Sequence, residues 1–111
     1  SKAEGVFCGS GLVEALREWG LSPNARSKDG LRLIKGEAVC EVEGDARTLL
    51  AVERSFLNLL GYASGIATHV RKVVDRVEER AQSLGIPAPR VLATRKTHPG
   101  LRDLALLAVQ V

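Results

Sequence analysis

The chain has 111 residues, of which 45% are apolar, so its length and composition predict one domain with a modest hydrophobic core. A net charge of +3 permits an anionic ligand but is too weak to indicate a nucleic-acid-binding protein, which usually carries a clustered basic stripe. Only 4% of the residues are aromatic, so a platform on which bases could stack is not expected. No apolar run approaches the ~20 residues of a membrane span and no signal peptide opens the chain, so we expect a cytoplasmic protein without a membrane partner.

The first 45 residues contain short strand-like stretches, turns and one helix. Residues 5–9 are typical of a strand between glycines, and apolar residues recur at helical spacing over 12–19, with Gly20 placed to end that helix. Three further elements are predicted: a turn at 22–24, a strand at 31–34 and a half-buried strand at 38–43. Cys8 and Cys40 lack metal-site spacing, which predicts buried free thiols in a reducing compartment.

Two helices are predicted next. Asp45 can cap the first, which covers residues 46–60 and carries Arg47, Arg54 and Asn58 on the face beside its apolar stripe. The glycines of residues 61–65 are predicted to interrupt the helix and to form a hinge before a second helix, which continues to residue 84. The charged side of this second helix, with His69 among its cations, is expected to be a solvated surface.

A glycine and two prolines within residues 85–89 predict the end of the helix and a short linker. A strand is predicted at 90–93, then a turn, with Pro99 in the first turn of a final helix that continues from Leu101. A single strand-turn-helix unit cannot bury both faces of its strand, so we expect this unit to be the beginning of a larger structural unit that covers the strand.

The segment that follows this strand places cations and hydroxyls before a helix, a common way to hold phosphates or carboxylates. Arg95 offers a planar fork and Lys96 a compact point charge, with the hydroxyls of Thr94 and Thr97 beside them. The alternative is that both cations are simply solvated in a loop. His98 can bind a ligand or cap the following helix.

Arg54 is either a surface cation or a ligand contact. The sequence contains no GxGxxG or Walker motif, no plausible nucleophile triad and no acidic cluster suited to a divalent metal. We therefore assign no metal ligand.

Four motifs follow one another along nearly the whole chain. They are Lys2–Gly9; Gly44–Leu50, with the pattern Gly-x-Ala-Arg-x-Leu-Leu; Glu53–Thr68, with Glu-Arg-x-x-Leu-Asn and then Ser-Gly-Ile-Ala-Thr; and Thr94–Arg102, with Thr-Arg-Lys-Thr-x-Pro-Gly-Leu-Arg. In order and spacing the chain resembles the type II phosphoribosyltransferases, and most closely the quinolinate phosphoribosyltransferases.

The resemblance implies an α+β fold: an α/β hammerhead-like sandwich domain followed by the first βα unit of a TIM-like α/β barrel. It assigns residues 1–86 to the first domain, without its earliest elements, and residues 87–111 to a truncated barrel. The implied reaction joins quinolinate to phosphoribosyl pyrophosphate and yields nicotinate mononucleotide, pyrophosphate and CO2 for NAD biosynthesis. The chain alone is expected to be inactive.

The resemblance also implies roles for individual residues. Arg95 would contact the quinolinate carboxylates, Lys96 would act as the catalytic residue on the phosphoribosyl pyrophosphate side, and Thr94, Thr97 and His98 would bind substrate. Arg54 would reach the active site of a neighbouring subunit in a homodimer or larger homo-oligomer. Mg²⁺ is the implied cofactor, with its ligands outside this chain.

Alternatives stay open within and beyond this fold. His98 stands where many quinolinate enzymes carry a hydroxyl or a small apolar residue, which keeps nicotinate as an alternative substrate. A molybdenum-transport-associated homologue is a third possibility, less favoured because of the Leu101-Arg102 pair. The non-enzymatic alternative is a domain that only mediates contacts between subunits.

Overall fold

The structure is a computed structural model, and it describes residues 4–93 and 99–111. Helices and short strands are mixed along the chain, as an α+β fold requires. In order, the elements are β1 (Gly5–Val6), α1 (Ser10–Ala15) continued by a 3-10 helix (Leu16–Trp19), β2 (Ser22–Ala25), β3 (Arg32–Leu33), β4 (Cys40–Glu43), α2 (Ala46–Leu84) and α3 (Arg102–Gln110). Strand β1 pairs antiparallel with β3, and β2 pairs antiparallel with β4.

The core is divided by the segment that begins with β1. Because side chains alternate along an extended chain, Val6 and Cys8 face one cluster while Phe7 faces another. The first cluster joins them to small residues of α2 and α3, namely Ala63, Ala67 and Ala108. The second joins Phe7 to Val13, Leu33 and Leu60. Residues 6–8 are thus the buried centre around which the helices pack.

Helix α2 is continuous, so the predicted interruption at residues 61–65 is wrong. Gly61 and Gly65 lie exposed in the helix, and each costs about 1 kcal/mol relative to alanine. Burial of Ala63 and Ala67 beside Val6 and Cys8 offsets this cost, because it fixes the helix between the two glycines and directly after the second one.

The predicted turn at residues 22–24 is also wrong, because these residues belong to β2. Pro23 lies opposite Val42 in the pair with β4, and its carbonyl oxygen accepts a hydrogen bond from Arg17 Nη2 at 3.2 Å. The main chain of Pro23 therefore faces away from β4, where the missing N–H costs no ladder hydrogen bond.

The strand predicted at residues 90–93 does not form: these residues are irregular. A barrel strand needs parallel neighbours, and within the described ranges no strand lies beside this segment. Pro99 was expected in the first turn of the final helix. It lies in the turn before α3, whose N-cap is Leu101, with Gly100 at φ 77° between them.

The helix-ending signals are confirmed. Gly20 and Gly85 end their helices in the left-handed conformation, at φ 79° and 68°. Asp45 Oδ2 accepts a hydrogen bond from the Thr48 amide at 3.2 Å and caps α2. Among the helices of the described ranges, none combines the length and the hydropathy needed to cross a bilayer.

Candidate functional site

Of the residues predicted to bind substrate, Arg54 is the one whose position the structure describes. It lies in the N-terminal half of α2 with its side chain exposed. Its guanidinium makes no hydrogen bond or ion pair with any residue that the structure describes. The guanidinium is therefore available to a partner outside this fold.

The other predicted site residues, Thr94, Arg95, Lys96, Thr97 and His98, lie outside the described residues. Before them, Leu92 is 71% exposed. After them, α3 packs on α2 through Ala108 and the half-buried Leu104. The described residues on the two sides of this gap are therefore an exposed leucine and a helix that packs on the core.

The Ser-Gly-Ile-Ala-Thr motif of α2 holds the segment that begins with β1. The amides of Val6 and Cys8 donate hydrogen bonds to Thr68 Oγ1 at 2.9 Å and to Ser64 Oγ at 3.1 Å. Ser64 Oγ also donates to the Cys8 carbonyl oxygen, and Thr68 Oγ1 donates to the Ser64 carbonyl oxygen. The hinge predicted at these residues is therefore an anchor point inside a continuous helix.

A charged groove of about 310 Å³ lies between the β1–β3 pair and α2. On its wall Arg32 Nη2 and Arg71 Nε donate to the two carboxylate oxygens of Asp75, each at 2.9 Å. The hydrogen bond from Arg32, supported by the charge of Arg71, holds the pKa of Asp75 below its ordinary value. These cations are already neutralised within the chain, which distinguishes them from Arg54.

The sequence contains a signal for only half of this network. Arg71 and Asp75 are four residues apart on a helix, a spacing that predicts an ion pair. Arg32 is 43 residues from Asp75, and the pair forms only because β3 packs beside α2.

Two apolar grooves lie along the N-terminal half of α2, with volumes of about 370 and 300 Å³. The first contains Cys40 and Phe56, and the second lies between Trp19 and α2. Trp19 is 65% exposed, and Leu50 and Leu57, on the same half of α2, are 73% and 45% exposed. Such a concentration of exposed apolar side chains is typical of a surface that contacts another protein.

Asp29, in the turn formed by Asp29 and Gly30, contacts the start of α1. Asp29 Oδ1 accepts hydrogen bonds from the amides of Gly9 and Ser10 at 2.8 and 3.0 Å, and Oδ2 accepts one from Ser10 Oγ at 3.0 Å. Burial of the carboxylate raises its pKa, but these hydrogen bonds outweigh that effect and leave the pKa of Asp29 below its ordinary value.

The two cysteines are free thiols. Cys8 is fully buried, and burial, together with the nearby charge of Asp29, raises its pKa to about 11. Cys40 is half-buried, and burial raises its pKa as well. Neither thiol has the low pKa of a reactive cysteine.

The described residues do not fit a magnesium site. Nowhere in residues 4–93 and 99–111 do three or more histidine, cysteine, aspartate or glutamate side chains come together in a way that could hold a metal ion. The most engaged carboxylates, Asp29 and Asp75, already accept hydrogen bonds from Ser10 and from Arg32 and Arg71.

Comparison with known proteins identifies relatives of the chain. It is 43% identical over 112 residues, 100% of this chain and 38% of the relative, to a Methanothermobacter thermautotrophicus protein named "Probable nicotinate-nucleotide pyrophosphorylase (carboxylating)". The crystal structure of nicotinate-nucleotide pyrophosphorylase from Ehrlichia chaffeensis matches with a TM-score of 0.86 and 31% identity, over 99% of this chain and 39% of that one. NadC from Streptococcus pyogenes matches with a TM-score of 0.77 and 33% identity, again over 99% of this chain and 39% of that chain.

These matches confirm the α+β fold predicted from the motifs. The chain spans less than two fifths of the Methanothermobacter relative that it matches. The family model described as the N-terminal domain of quinolinate phosphoribosyl transferase matches residues 1–64, more than half of the chain. The chain belongs to the family of quinolinate phosphoribosyl transferase N-terminal domains.

Proposed function

We propose that the chain is the part of a quinolinate phosphoribosyltransferase that contains its N-terminal domain and the beginning of its barrel. In the proposed reaction the pyridine nitrogen of quinolinate attacks the anomeric carbon of phosphoribosyl pyrophosphate as the bond to pyrophosphate breaks. Loss of one carboxylate as CO2, with a proton from water taking its place on the ring carbon, then leaves nicotinate mononucleotide. The family match over residues 1–64 carries this proposal.

Both substrates are strongly anionic, so the site needs several cations positioned before they bind. We assign Arg95 to the quinolinate carboxylates, because a guanidinium can bind a carboxylate through two parallel hydrogen bonds. Lys96 is assigned to phosphoribosyl pyrophosphate as the catalytic residue, and Thr94, Thr97 and His98 are assigned to substrate binding.

Arg54 is assigned to the active site of a second subunit in a homodimer or larger homo-oligomer. Its exposed guanidinium, which is unpaired among the described residues, supports this role because it is free to bind a group outside this fold. The exposed apolar residues Trp19, Leu50 and Leu57 near the same half of α2 support a subunit contact there.

Mg²⁺ is included in the proposal as the ion that neutralises the pyrophosphate group, and no described residue is assigned to it. We place the enzyme in the cytoplasm, where the free thiols of Cys8 and Cys40 would stay reduced. No partner that is a nucleic acid or a membrane is proposed.

Nicotinate is the alternative substrate within the same fold, and the reason for considering it is the histidine at position 98. The two substrates differ by one carboxylate. A site built for two carboxylates leaves a cation unpaired when nicotinate binds, so we expect discrimination in favour of quinolinate.

A non-catalytic role in subunit contact is the second candidate, and the exposed apolar side chains of Trp19 and Leu50 favour it. It predicts association without turnover. The two functions are separated by the experiment that follows.

The test uses a chimera in which this chain replaces the matching segment of the full-length Methanothermobacter relative, with that relative as the control for activity. We expect the chimera to form nicotinate mononucleotide, CO2 and pyrophosphate from quinolinate and phosphoribosyl pyrophosphate. Turnover of nicotinate alone would contradict the substrate assignment. A folded, oligomeric chimera without turnover, beside an active control, would support the non-catalytic alternative.

A further inference from the structure

Arg47 and Arg54 lie on one face of α2. They are seven residues apart, which is close to two helical turns, so their side chains leave the helix in nearly the same direction about 10 Å apart along its axis. Both are exposed, and neither makes a hydrogen bond or an ion pair with a residue in the part of the chain that the structure describes. Asn58 continues this face one turn further.

The environment of Arg47 does not explain its charge. Arg47 lies in the first turn of α2, where a cation opposes the helix dipole, and that turn contains no acidic residue. The helix positions three and four residues further on are Leu50 and Ala51, so no carboxylate pairs with it along the helix. The charge of Arg47 therefore costs this chain stability without an internal contact in return.

Four other arginines have partners in this fold. Arg17, Arg26, Arg32 and Arg71 are each ion-paired within the chain. Where this fold uses an arginine for its own structure, it gives the guanidinium a carboxylate. Arg47 shares its exposed, unpaired state with Arg54 and also with Arg76, Arg80 and Arg90, and it differs from these three in lying within two helical turns of Arg54.

Small residues lie along this face beside the two arginines. Ala51 lies between them on this face, and beyond Asn58 the face continues with Gly61, where an added Cβ would meet no atom within 4 Å. Two guanidiniums about two turns apart can reach different anionic groups of one extended ligand.

We propose that Arg47 accompanies Arg54 into the active site of a second copy of the chain and supplies a second cation there for a phosphate group of phosphoribosyl pyrophosphate. This inference rests on the proposed function, because it takes the occupant of the face to be the substrate-loaded site of that copy. Charge complementarity favours this occupant: the face carries two unpaired cations, and the proposed substrate carries phosphate groups at both ends.

The test compares Arg47→Gln with Arg76→Gln in the chimera described above. Arg76 is a matched control, because it is an exposed cation of the same helix, 22 residues from Arg54, and its guanidinium makes no hydrogen bond or ion pair with the described residues. Arg47→Gln is expected to raise KM for phosphoribosyl pyrophosphate by about tenfold or more, with unchanged or higher thermal stability. Arg76→Gln is expected to leave KM unchanged.

Co-expression of two variants then determines whether Arg47 serves the active site of its own subunit or that of the neighbouring subunit. When Arg47→Gln and Lys96→Ala chimeras assemble together, the site with an intact Lys96 receives an intact Arg47 only if Arg47 acts across the interface. Recovery of activity above that of either variant alone supports the inference. An impaired Arg47→Gln without recovery would place Arg47 in its own subunit and overturn it.

Failure of the inference and of the proposed function give different results. An active chimera with normal KM in Arg47→Gln overturns only the inference. An inactive wild-type chimera beside an active parent enzyme overturns the proposed function and the inference with it.

Discussion

The amide of Val6 donates a hydrogen bond to Thr68 Oγ1 at 2.9 Å, across 62 residues of sequence. The amide of Cys8 makes the equivalent bond with Ser64 Oγ, one helical turn away. Two hydroxyls on α2 therefore take the place that a neighbouring strand would occupy beside residues 6 and 8, and they satisfy main-chain groups in the centre of the core.

Removing these hydroxyls should destabilise the fold without changing its shape. Thr68→Val keeps the volume of the side chain but leaves the Val6 amide without an acceptor, which costs about 1–3 kcal/mol of unfolding free energy. Ser64→Ala should act in the same way on Cys8. Urea unfolding monitored by circular dichroism measures both effects.

Ser55→Ala is the matched control, because Ser55 is an exposed hydroxyl of the same helix. It should change stability by less than about 0.5 kcal/mol. A Thr68→Val chain as stable as this control would show that the hydroxyl does not hold β1.

Replacing Gly5 and Gly61 by alanine should change the stability of the chain in opposite directions. A Cβ on Gly5 would lie 2.7 Å from Thr68 Oγ1, so Gly5→Ala must displace the hydroxyl that binds Val6 and should cost about 1–3 kcal/mol. Gly61 lies within α2 with open space around its missing Cβ, so Gly61→Ala should stabilise the chain by about 0.5–1 kcal/mol. Thermal unfolding of the two variants checks this, and equal effects would contradict the position of Gly5 against Thr68.

Asp29 should stabilise the start of α1 only while it is ionised. Asp29→Asn loses the charge that accepts three hydrogen bonds from Gly9 and Ser10, and we expect a loss of about 1 kcal/mol at pH 7. Urea unfolding at pH 7 measures this loss against the wild-type chain.

The pH dependence follows from the direction of the shift. The pKa of Asp29 is lower in the folded chain than its ordinary value of 3.8, so its contribution is complete above pH 3.8 and is lost as the pH falls below that value. The difference between wild type and Asp29→Asn should therefore shrink as the pH is lowered from 4 into the more acidic range. A difference that stays constant over this range would rule out an ionised Asp29 as its source.

The cysteines should resist alkylation in the folded state. Cys8 is fully buried with a pKa of about 11, so at pH 8 it should react with iodoacetamide only as fast as the chain unfolds. Cys40 is partly exposed and should react first, though more slowly than a free thiol because burial raises its pKa. Mass spectrometry of the time course, with Cys40→Ser to isolate Cys8, measures both rates, and modification of Cys8 before Cys40 would contradict the burial of Cys8.

Sequence patterns predicted the features that depend on local chemistry. Asp45 caps α2, and Gly20 and Gly85 end helices, because these residues act on neighbours within four positions. The strand β2 and the continuity of α2 depend instead on distant partners. Pro23 becomes a strand residue because Val42 lies opposite, and the glycines of α2 stay helical because the helix packs against residues 6–8.

The candidate site was predicted less completely than the fold. Its motifs identified the family, which the match over residues 1–64 confirms. The exposure of Arg54 agrees with both interpretations that the sequence left open, a surface cation and a contact to a second subunit. Its use by a second subunit stays a prediction, because that role depends on an assembly and not on the local pattern around Arg54.

The central claim is that Arg54 serves the active site of a neighbouring subunit during phosphoribosyl transfer to quinolinate. It is tested most directly by co-expressing Arg54→Ala and Lys96→Ala chimeras and measuring quinolinate-dependent release of CO2. Each variant alone should be nearly inactive while folding normally, since the Arg54 guanidinium makes no hydrogen bond or ion pair with the described residues. In random 1:1 assembly of dimers half of the molecules are mixed, and each mixed dimer has one intact site, so about a quarter of wild-type activity should return. No recovery in assembled mixed dimers would contradict the claim.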